Sequence, residues 1–208
     1  MFYLVNHNYR FIFIITRKCA SNTLIEIFRK ISKSEPVKEE INLELLKKMQ
    51  SQGYEVYQFV RNPYDRFIST YVNKFVNKTV FDKPGYNKFK LVTGIKNFQE
   101  LTFQMFIDYI HNNRILLQDT HARPMSINFK PNHVIKIENL GHFLESFLKK
   151  HNILTPVQEL SNLSFNSTEK TSKIIKGIYN FKAKNISEIP HYSSFYNEDI
   201  KNKVNILQ

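Results

Sequence analysis

The chain has 208 residues, of which 42% are hydrophobic and 14% aromatic, and this composition excludes an intrinsically disordered protein. No stretch reaches the roughly 18 uninterrupted apolar residues of a membrane span, and the single cysteine, Cys19, excludes both an internal disulfide and a cysteine-based metal site. Thirty Lys and Arg against eighteen Asp and Glu give a net charge of +12. We therefore expect an anionic partner and, from the cysteine usage, a cytoplasmic protein.

Predicted helices and strands alternate along the first part of the chain. Apolar runs of strand-forming residues and apolar residues at helical spacing distinguish the two types. Pro63 favours the start of a helix, and Gly53 follows another helix at the usual position of a C-terminal cap. In order we predict a short lead-in 1–10, strand 11–16, helix 23–32, loop 34–40, helix 42–52, strand 54–60 and helix 64–77.

The second part of the chain has weaker patterns. We predict an irregular segment 78–97, helix 102–112, loop 114–130, strand 133–137, helix 140–151, a mostly loop region 152–190 with a short helix near 169–179, and a closing helix 197–207. Strands separated by helices predict an α/β fold of three layers with a mainly parallel central sheet. We expect one domain over residues 1–208, since no Gly/Ser/Pro-rich linker divides the chain.

The segment FIFIITRKCASNTL, residues 11–24, leads from the first predicted strand through a turn into a helix. The turn carries basic, small and hydroxylated residues, and the amide groups at a helix start point outward with partial positive charge. Such a junction can hold a phosphate or a similar anion, although the glycine-rich GxxxxGK[ST] form is absent.

A second candidate anion site follows the strand 54–60, in the segment YQFVRNPYDRFISTYVNKF. Arg61 lies at the carboxyl end of that strand, where open α/β sheets bind ligands. Its planar guanidinium suits a phosphate, and Ser69 offers a hydroxyl eight positions later. Two such sites in one sheet predict a ligand with two separated anionic groups.

The pair RKCASNT and FVRNPYDRFISTYVNKF resembles the two nucleotide-binding motifs of the carbohydrate sulfotransferases that use 3′-phosphoadenosine 5′-phosphosulfate, PAPS. The resemblance implies a P-loop-NTPase-like architecture, PAPS as co-substrate, its desulfated form PAP as product, and no metal. It assigns Arg61 and Ser69 to the 3′-phosphate. It assigns the 5′-phosphosulfate to Arg17, Lys18, Cys19, Ala20, Ser21, Asn22 and Thr23.

Catalysis of sulfuryl transfer needs a group that stabilises leaving-group charge and a base for the acceptor hydroxyl. Lys18 fits the first role. His121, in the family-like segment DTHARPM, is our first choice as base, with Asp119 to orient it; His111, His191 and Glu26 remain alternatives. Arg123 is a candidate contact for an anionic acceptor.

The expected acceptor is a hydroxyl of a saccharide or glycoconjugate, with peripheral membrane contact left open. Two other classes remain. A P-loop-like phosphotransferase would need the missing GK[ST] and an Mg²⁺-holding acidic residue. A non-catalytic nucleic-acid-binding protein would fit the net charge, but no nucleic-acid motif is present and no nucleic acid is expected.

Overall fold

The computed structural model divides the chain into two compact units. The first unit comprises Met1–Asn62 and Met125–Ser167, and the second comprises Pro63–Pro124 and Thr168–Gln208. The prediction of one domain over the whole chain stays a prediction. The structure describes residues 1–35, 38–39, 41–77, 90–91, 94–112, 125, 128–161 and 174–207.

The first unit contains a five-stranded sheet in the order β3-β1-β2-β4-β5. Strand β2 is parallel to β4, and β4 is parallel to β5, whereas β1 is antiparallel to both β2 and β3. The three predicted strands are the parallel ones, and the predicted α/β fold class is confirmed. The strands are β1 Phe2–Asn6, β2 Phe11–Ile15, β3 Lys38–Glu39, β4 Glu55–Val60 and β5 His133–Lys136.

The predicted short lead-in over residues 1–10 contains the strand β1, which was not predicted. Its apolar, strand-forming residues pair with β2 across a tight turn in which Arg10 has φ 50°. The loop predicted over 34–40 likewise contains β3, whose two residues pair with Tyr3 and Leu4. A strand of two residues is too short to show a sequence pattern of its own, and it forms only by pairing with β1.

Seven α-helices have bounds that the structure describes. All the predicted helices of the first half and the helices 102–112, 140–151 and 197–207 are confirmed, with ends shifted by two residues or fewer except in α3. The helices are α1 Ser21–Ser32, α2 Leu43–Ser51, α3 Pro63–Tyr71, α4 Phe103–Asn112, α5 Leu140–Lys150, α6 Val157–Ser161 and α7 Glu198–Leu207.

Helices cover both faces of the sheet in the first unit, which gives the predicted three layers. All five residues of β2 are buried, and alternate ones face opposite layers. One face packs on α1 and α5 and the other on α2. The first face holds Phe11, Phe13, Ile15, Tyr57 and Phe59 against Leu24, Ile27, Phe28, Phe143 and Phe147; the second holds Ile12, Ile14 and Val56 against Leu46 and Met49.

The second unit has its own apolar core, built by α3, α4 and α7. The predicted helix 64–77 is α-helical only to Tyr71 and continues as the π-helical segment Val72–Val76. Within α3 the Thr70 hydroxyl donates to the Arg66 carbonyl at 2.9 Å, a side-chain contact that accompanies bends and irregular helix geometry.

The short helix predicted near 169–179 is wrong in its described part. Residues 174–177 are not helical, Gly177 has φ 74°, and only the single 3-10 turn Ile178–Asn180 follows. Residues 162–173 lie outside the described part of the chain, as do most of the predicted segments 78–97 and 114–130.

Candidate functional site at the carboxyl edge of the sheet

The loops that follow β2 and β4 lie side by side in the first unit. The two strands are parallel, and Ile15 is opposite Phe59 in the register. The chain therefore leaves both strands at the same edge of the sheet. At that edge the Arg61 Nη1 donates a hydrogen bond to the Lys18 carbonyl oxygen at 3.2 Å. The two sequence motifs thus meet directly.

The loop between β2 and α1 adopts a tightly folded backbone. Lys18 and Ala20 have φ of 66° and 53°, in the left-handed region that residues with a side chain adopt uncommonly. The Cys19 amide donates to the Thr16 carbonyl at 3.1 Å, and the Cys19 side chain is buried. Successive turns of this kind gather backbone N–H groups into a concave anion-binding surface.

Helix α1 begins at Ser21, two residues earlier than predicted, so Ser21 and Asn22 belong to its first turn. The residue before it, Ala20, makes no side-chain hydrogen bond to the helix start, and the first turn contains no acidic residue. The first amide groups of an α-helix have no partner within the helix. This helix start can therefore donate hydrogen bonds to an anion and places partial positive charge beside it.

The predicted phosphosulfate residues differ in exposure. Arg17 and Asn22 are exposed, Lys18, Ala20 and Ser21 are half-buried, and Cys19 and Thr23 are buried. The Lys18 side chain is only partly covered by protein, whereas a direct contact by the buried Cys19 side chain would require the loop to open.

Thr16, at the entrance of the loop, provides an observation that bears on an anionic ligand. Its side chain is 3% exposed, and its Oγ1 has no hydrogen-bond partner within the described chain. A buried hydroxyl without a partner is uncommon in proteins. Together with the uncapped start of α1, this polar atom shows that the loop has hydrogen-bonding capacity left over, which fits the phosphosulfate group that the first motif implies.

Met125 belongs to the same edge, although no role was predicted for it from the sequence. Its Sδ accepts the Arg61 amide at 3.4 Å and the Cys19 thiol at 3.7 Å. Its carbonyl accepts the side-chain amide of Gln58, in β4, at 2.5 Å. Met125 is thus bonded to both loops and to the sheet between them.

The third parallel strand also contributes to this edge. Glu138 lies in the 3-10 turn Ile137–Asn139 that follows β5. Its Oε1 accepts the backbone amide of Asn62 at 3.0 Å. Because this carboxylate accepts the amide next to Arg61, it fixes the direction in which the chain leaves β4.

Ser69 is half-buried on α3 in the second unit. His121, Arg123 and Asp119 lie outside the described residues, so neither the predicted base nor the predicted acceptor contact has a described position.

Each alternative base already has a nearby polar contact. Glu26 is ion-paired with Arg29 on α1. His191 caps the 3-10 turn Tyr192–Phe195 through the Ser193 amide, and the His111 Nδ1 lies 3.3 Å from the Asn112 Oδ1.

Two further findings concern the described residues only. No group of three or more His, Cys, Asp or Glu side chains is placed to hold a metal ion there. No described helix is both long and apolar enough to cross a membrane.

An α/β sheet with three adjacent parallel strands, an uncapped helix start and basic loops at the carboxyl edge of those strands is typical of enzymes that bind nucleotides or other anionic esters. A model of the sulfotransferase family matches residues 2–201. The chain belongs to the sulfotransferase family. Searches of curated proteins and of solved structures found no match.

Proposed function

We propose that the protein transfers a sulfuryl group from PAPS to a hydroxyl of a carbohydrate or glycoconjugate. The observation that carries the proposal is the 3.2 Å contact between the Arg61 guanidinium and the Lys18 carbonyl. It joins the two basic motifs at one edge of the sheet, as a ligand with an anionic group at each end requires.

The proposed binding site of the 5′-phosphosulfate is formed by the first turn of α1 and the loop before it. Backbone amides of Ser21 and Asn22 would donate hydrogen bonds, and the Lys18 ammonium would offset charge on the leaving oxygen. Arg61 and Ser69 are the proposed contacts of the 3′-phosphate. Bound PAPS supplies the activated sulfuryl group, so the protein has to position the reactants and stabilise charge.

His121 is the proposed base that takes the proton of the acceptor hydroxyl. A histidine suits that role because its ordinary pKa lies close to neutral pH. His121 precedes Met125 by four residues, and Met125 contacts both Cys19 and Arg61. Arg123, between them in sequence, is the proposed contact of an anionic acceptor group. A cytoplasmic location is part of the proposal, on the cysteine usage of the sequence.

Binding of PAP and AMP, measured by calorimetry, tests the donor site. Both ligands carry a 5′-phosphate, and only PAP has a 3′-phosphate. We expect wild type to prefer PAP. Lys18→Ala should weaken the binding of both ligands. Arg61→Ala should remove most of the preference, lowering the ratio of the AMP and PAP dissociation constants by about 10- to 100-fold, because charge-assisted hydrogen bonds to the 3′-phosphate are lost. Arg29→Ala, an arginine of α1 paired with Glu26, is the matched control.

Activity requires a separate experiment. Incubation with sulfate-labelled PAPS and a panel of glycans should give a labelled saccharide, and His121→Ala should reduce kcat by about 100-fold or more without changing PAP binding. Absence of PAP binding by the folded wild-type protein would refute the proposal. ATP turnover that depends on Mg²⁺ would instead favour a phosphotransferase, and salt-sensitive oligonucleotide binding without PAP binding a nucleic-acid-binding protein.

A further inference from the structure

Met125 makes three polar contacts at the candidate donor site. Its thioether sulfur accepts the backbone amide of Arg61 at 3.4 Å and the thiol of Cys19 at 3.7 Å. Its carbonyl accepts the side-chain amide of Gln58 at 2.5 Å. A single half-buried side chain is therefore bonded to the end of β4 and to the loop after β2.

Gln58 fixes the backbone of Met125. This glutamine is 5% exposed and pairs with Ile14 in the parallel register of β2 and β4. A buried amide group without a partner is costly, and the Met125 carbonyl supplies one. Since Gln58 is part of the sheet itself, the backbone of Met125 is held against a rigid element.

The sulfur of Met125 then determines how the two loops approach each other. A thioether is a weak hydrogen-bond acceptor, but it is polarisable, and methionine fills irregular gaps well. Here it lies between Cys19, which has the left-handed residues Lys18 and Ala20 on either side, and Arg61. Arg61 in turn donates to the Lys18 carbonyl. The two loops are thus joined twice, once through the Met125 sulfur and once through the Arg61 guanidinium.

We propose that Met125 is a positioning residue of the donor site, which sets the spacing between the phosphosulfate loop and Arg61. The proposal rests on the function proposed above. Neither contact of the sulfur is local in sequence, since Cys19 and Arg61 precede Met125 by 106 and 64 positions. The role follows from this geometry and not from a motif.

The ratio of the AMP and PAP dissociation constants measures this spacing. A ligand with two anionic ends gains from both sites only when their separation matches the ligand. Met125→Leu keeps the volume and removes the sulfur, and we expect the ratio to fall by about 5-fold. Met125→Gln restores a polar acceptor at a similar position and should recover part of the ratio. Met49→Leu, at a buried methionine of α2, is the matched control and should leave the ratio unchanged.

Thiol reactivity tests the same contact without any nucleotide. Cys19 is the only cysteine of the chain and is buried, so its alkylation rate reports how firmly the loop is held. We expect Met125→Ala to raise that rate by about 10-fold or more under native conditions, with melting temperature recorded for every variant. Met49→Leu should react as slowly as wild type.

The two measurements separate the two proposals. If wild type does not prefer PAP, the proposed function fails, and the Cys19 rate still decides whether Met125 holds the loop. If wild type prefers PAP but Met125→Leu keeps the full ratio, the positioning role is refuted. The role is also refuted if Met125→Gln recovers nothing beyond Met125→Leu, or if Met125→Ala leaves the thiol rate unchanged.

Discussion

Ala20 is the residue whose own backbone conformation is most informative. It precedes α1 with φ 53° and ψ 34°, in the left-handed region that costs a residue with a Cβ atom roughly 1–2 kcal/mol. Glycine would adopt this conformation without that cost. It would also make the unfolded chain more flexible, which lowers the free energy of unfolding by about 0.4–1 kcal/mol. We therefore expect Ala20→Gly to leave the free energy of unfolding unchanged or to raise it by up to about 1.6 kcal/mol, as measured by urea denaturation.

Ala183→Gly is the matched control for this substitution. Ala183 begins the 3-10 turn Ala183–Asn185 and is not among the positive-φ residues, and its side chain is buried. Glycine there should destabilise the protein by about 0.5–1 kcal/mol or more, because no backbone strain is relieved. Equal losses from both substitutions would contradict the strained conformation of Ala20.

For individual residues, the sequence predicts which side chains belong to the site better than it predicts their contacts and backbone conformations. The approach of Lys18 and Arg61 was predictable, since parallel strands end at the same edge of a sheet. The left-handed conformations of Lys18 and Ala20 were not, because neither is a glycine. Met125 was also missed as a part of the site: no local pattern indicates that a thioether meets residues that precede it by 64 and 106 positions.

Among the elements, α2 is specified at both ends by its own residues. The Asn42 side chain accepts the Leu45 amide at 2.8 Å, and the predicted capping residue Gly53 has φ 89°. Removing an asparagine cap costs typically about 1 kcal/mol. We expect Asn42→Ala to lower the free energy of unfolding by about that amount in urea denaturation.

Asn139 provides the control for the cap. It occupies the same position before α5 but makes no side-chain capping bond, so Asn139→Ala should change the free energy of unfolding by less than about 0.5 kcal/mol. A similar loss from both substitutions would mean that the Asn42 bond contributes nothing specific. Local rules of this kind explain why helices were predicted well, whereas β3 depends on pairing with a distant strand and was missed.

A second polar cluster joins elements at the amino edge of the sheet, opposite the candidate site. Glu55, which begins β4, pairs with His133 at 2.7 Å and with Lys150 at 3.0 Å. The Nε2 atom of His151 lies 2.9 Å from the Tyr57 hydroxyl oxygen, and its Nδ1 atom lies 3.2 Å from the Tyr9 carbonyl oxygen. Since a carbonyl can only accept, His151 Nδ1 carries a proton, and its Nε2 accepts the Tyr57 hydroxyl when the ring is neutral.

This arrangement predicts a pH dependence of stability. Burial lowers the pKa of His151 below its ordinary value, and the Tyr9 hydrogen bond opposes that shift only in part. The unfolded chain therefore takes up the proton first as the pH falls below about 6.5. We expect the stabilising contribution of neutral His151 to be complete above that pH and to decrease steadily below it, until the folded protein is protonated as well.

Melting temperatures measured from about pH 8 to pH 5.5 test this expectation. His151→Gln should flatten the curve over that range, whereas His142→Gln, an exposed substitution on α5, should not. Glu55 acts at lower pH: burial raises its pKa, but hydrogen bonds from Lys150 and His133 outweigh burial and leave the pKa lowered. Its contribution is therefore lost only as the pH falls below about 4.5, which keeps the two groups apart experimentally.

For the whole molecule, the net charge of +12 is the property that every ligand meets. Thirty basic side chains create a positive field that attracts anions over about 10 Å at 0.1 M salt, and over only about 3 Å at 1 M. The sequence predicted this preference from composition alone. Composition does not predict which anion binds, because a long-range positive field attracts all anions alike. Selectivity between anions depends on the geometry of the loops around Lys18 and Arg61.

Salt dependence separates the field from the shaped site. Between about 0.05 and 0.5 M NaCl we expect the dissociation constant of PAP to rise by about 5- to 10-fold, that of AMP by less, and that of uncharged adenosine not at all. Calorimetry at each salt concentration gives all three. A shaped site retains a preference for PAP over AMP at the highest salt, because short hydrogen bonds to Arg61 are screened little. If that preference disappeared together with the field, binding would come from net charge alone, and the two motifs would not form a nucleotide site.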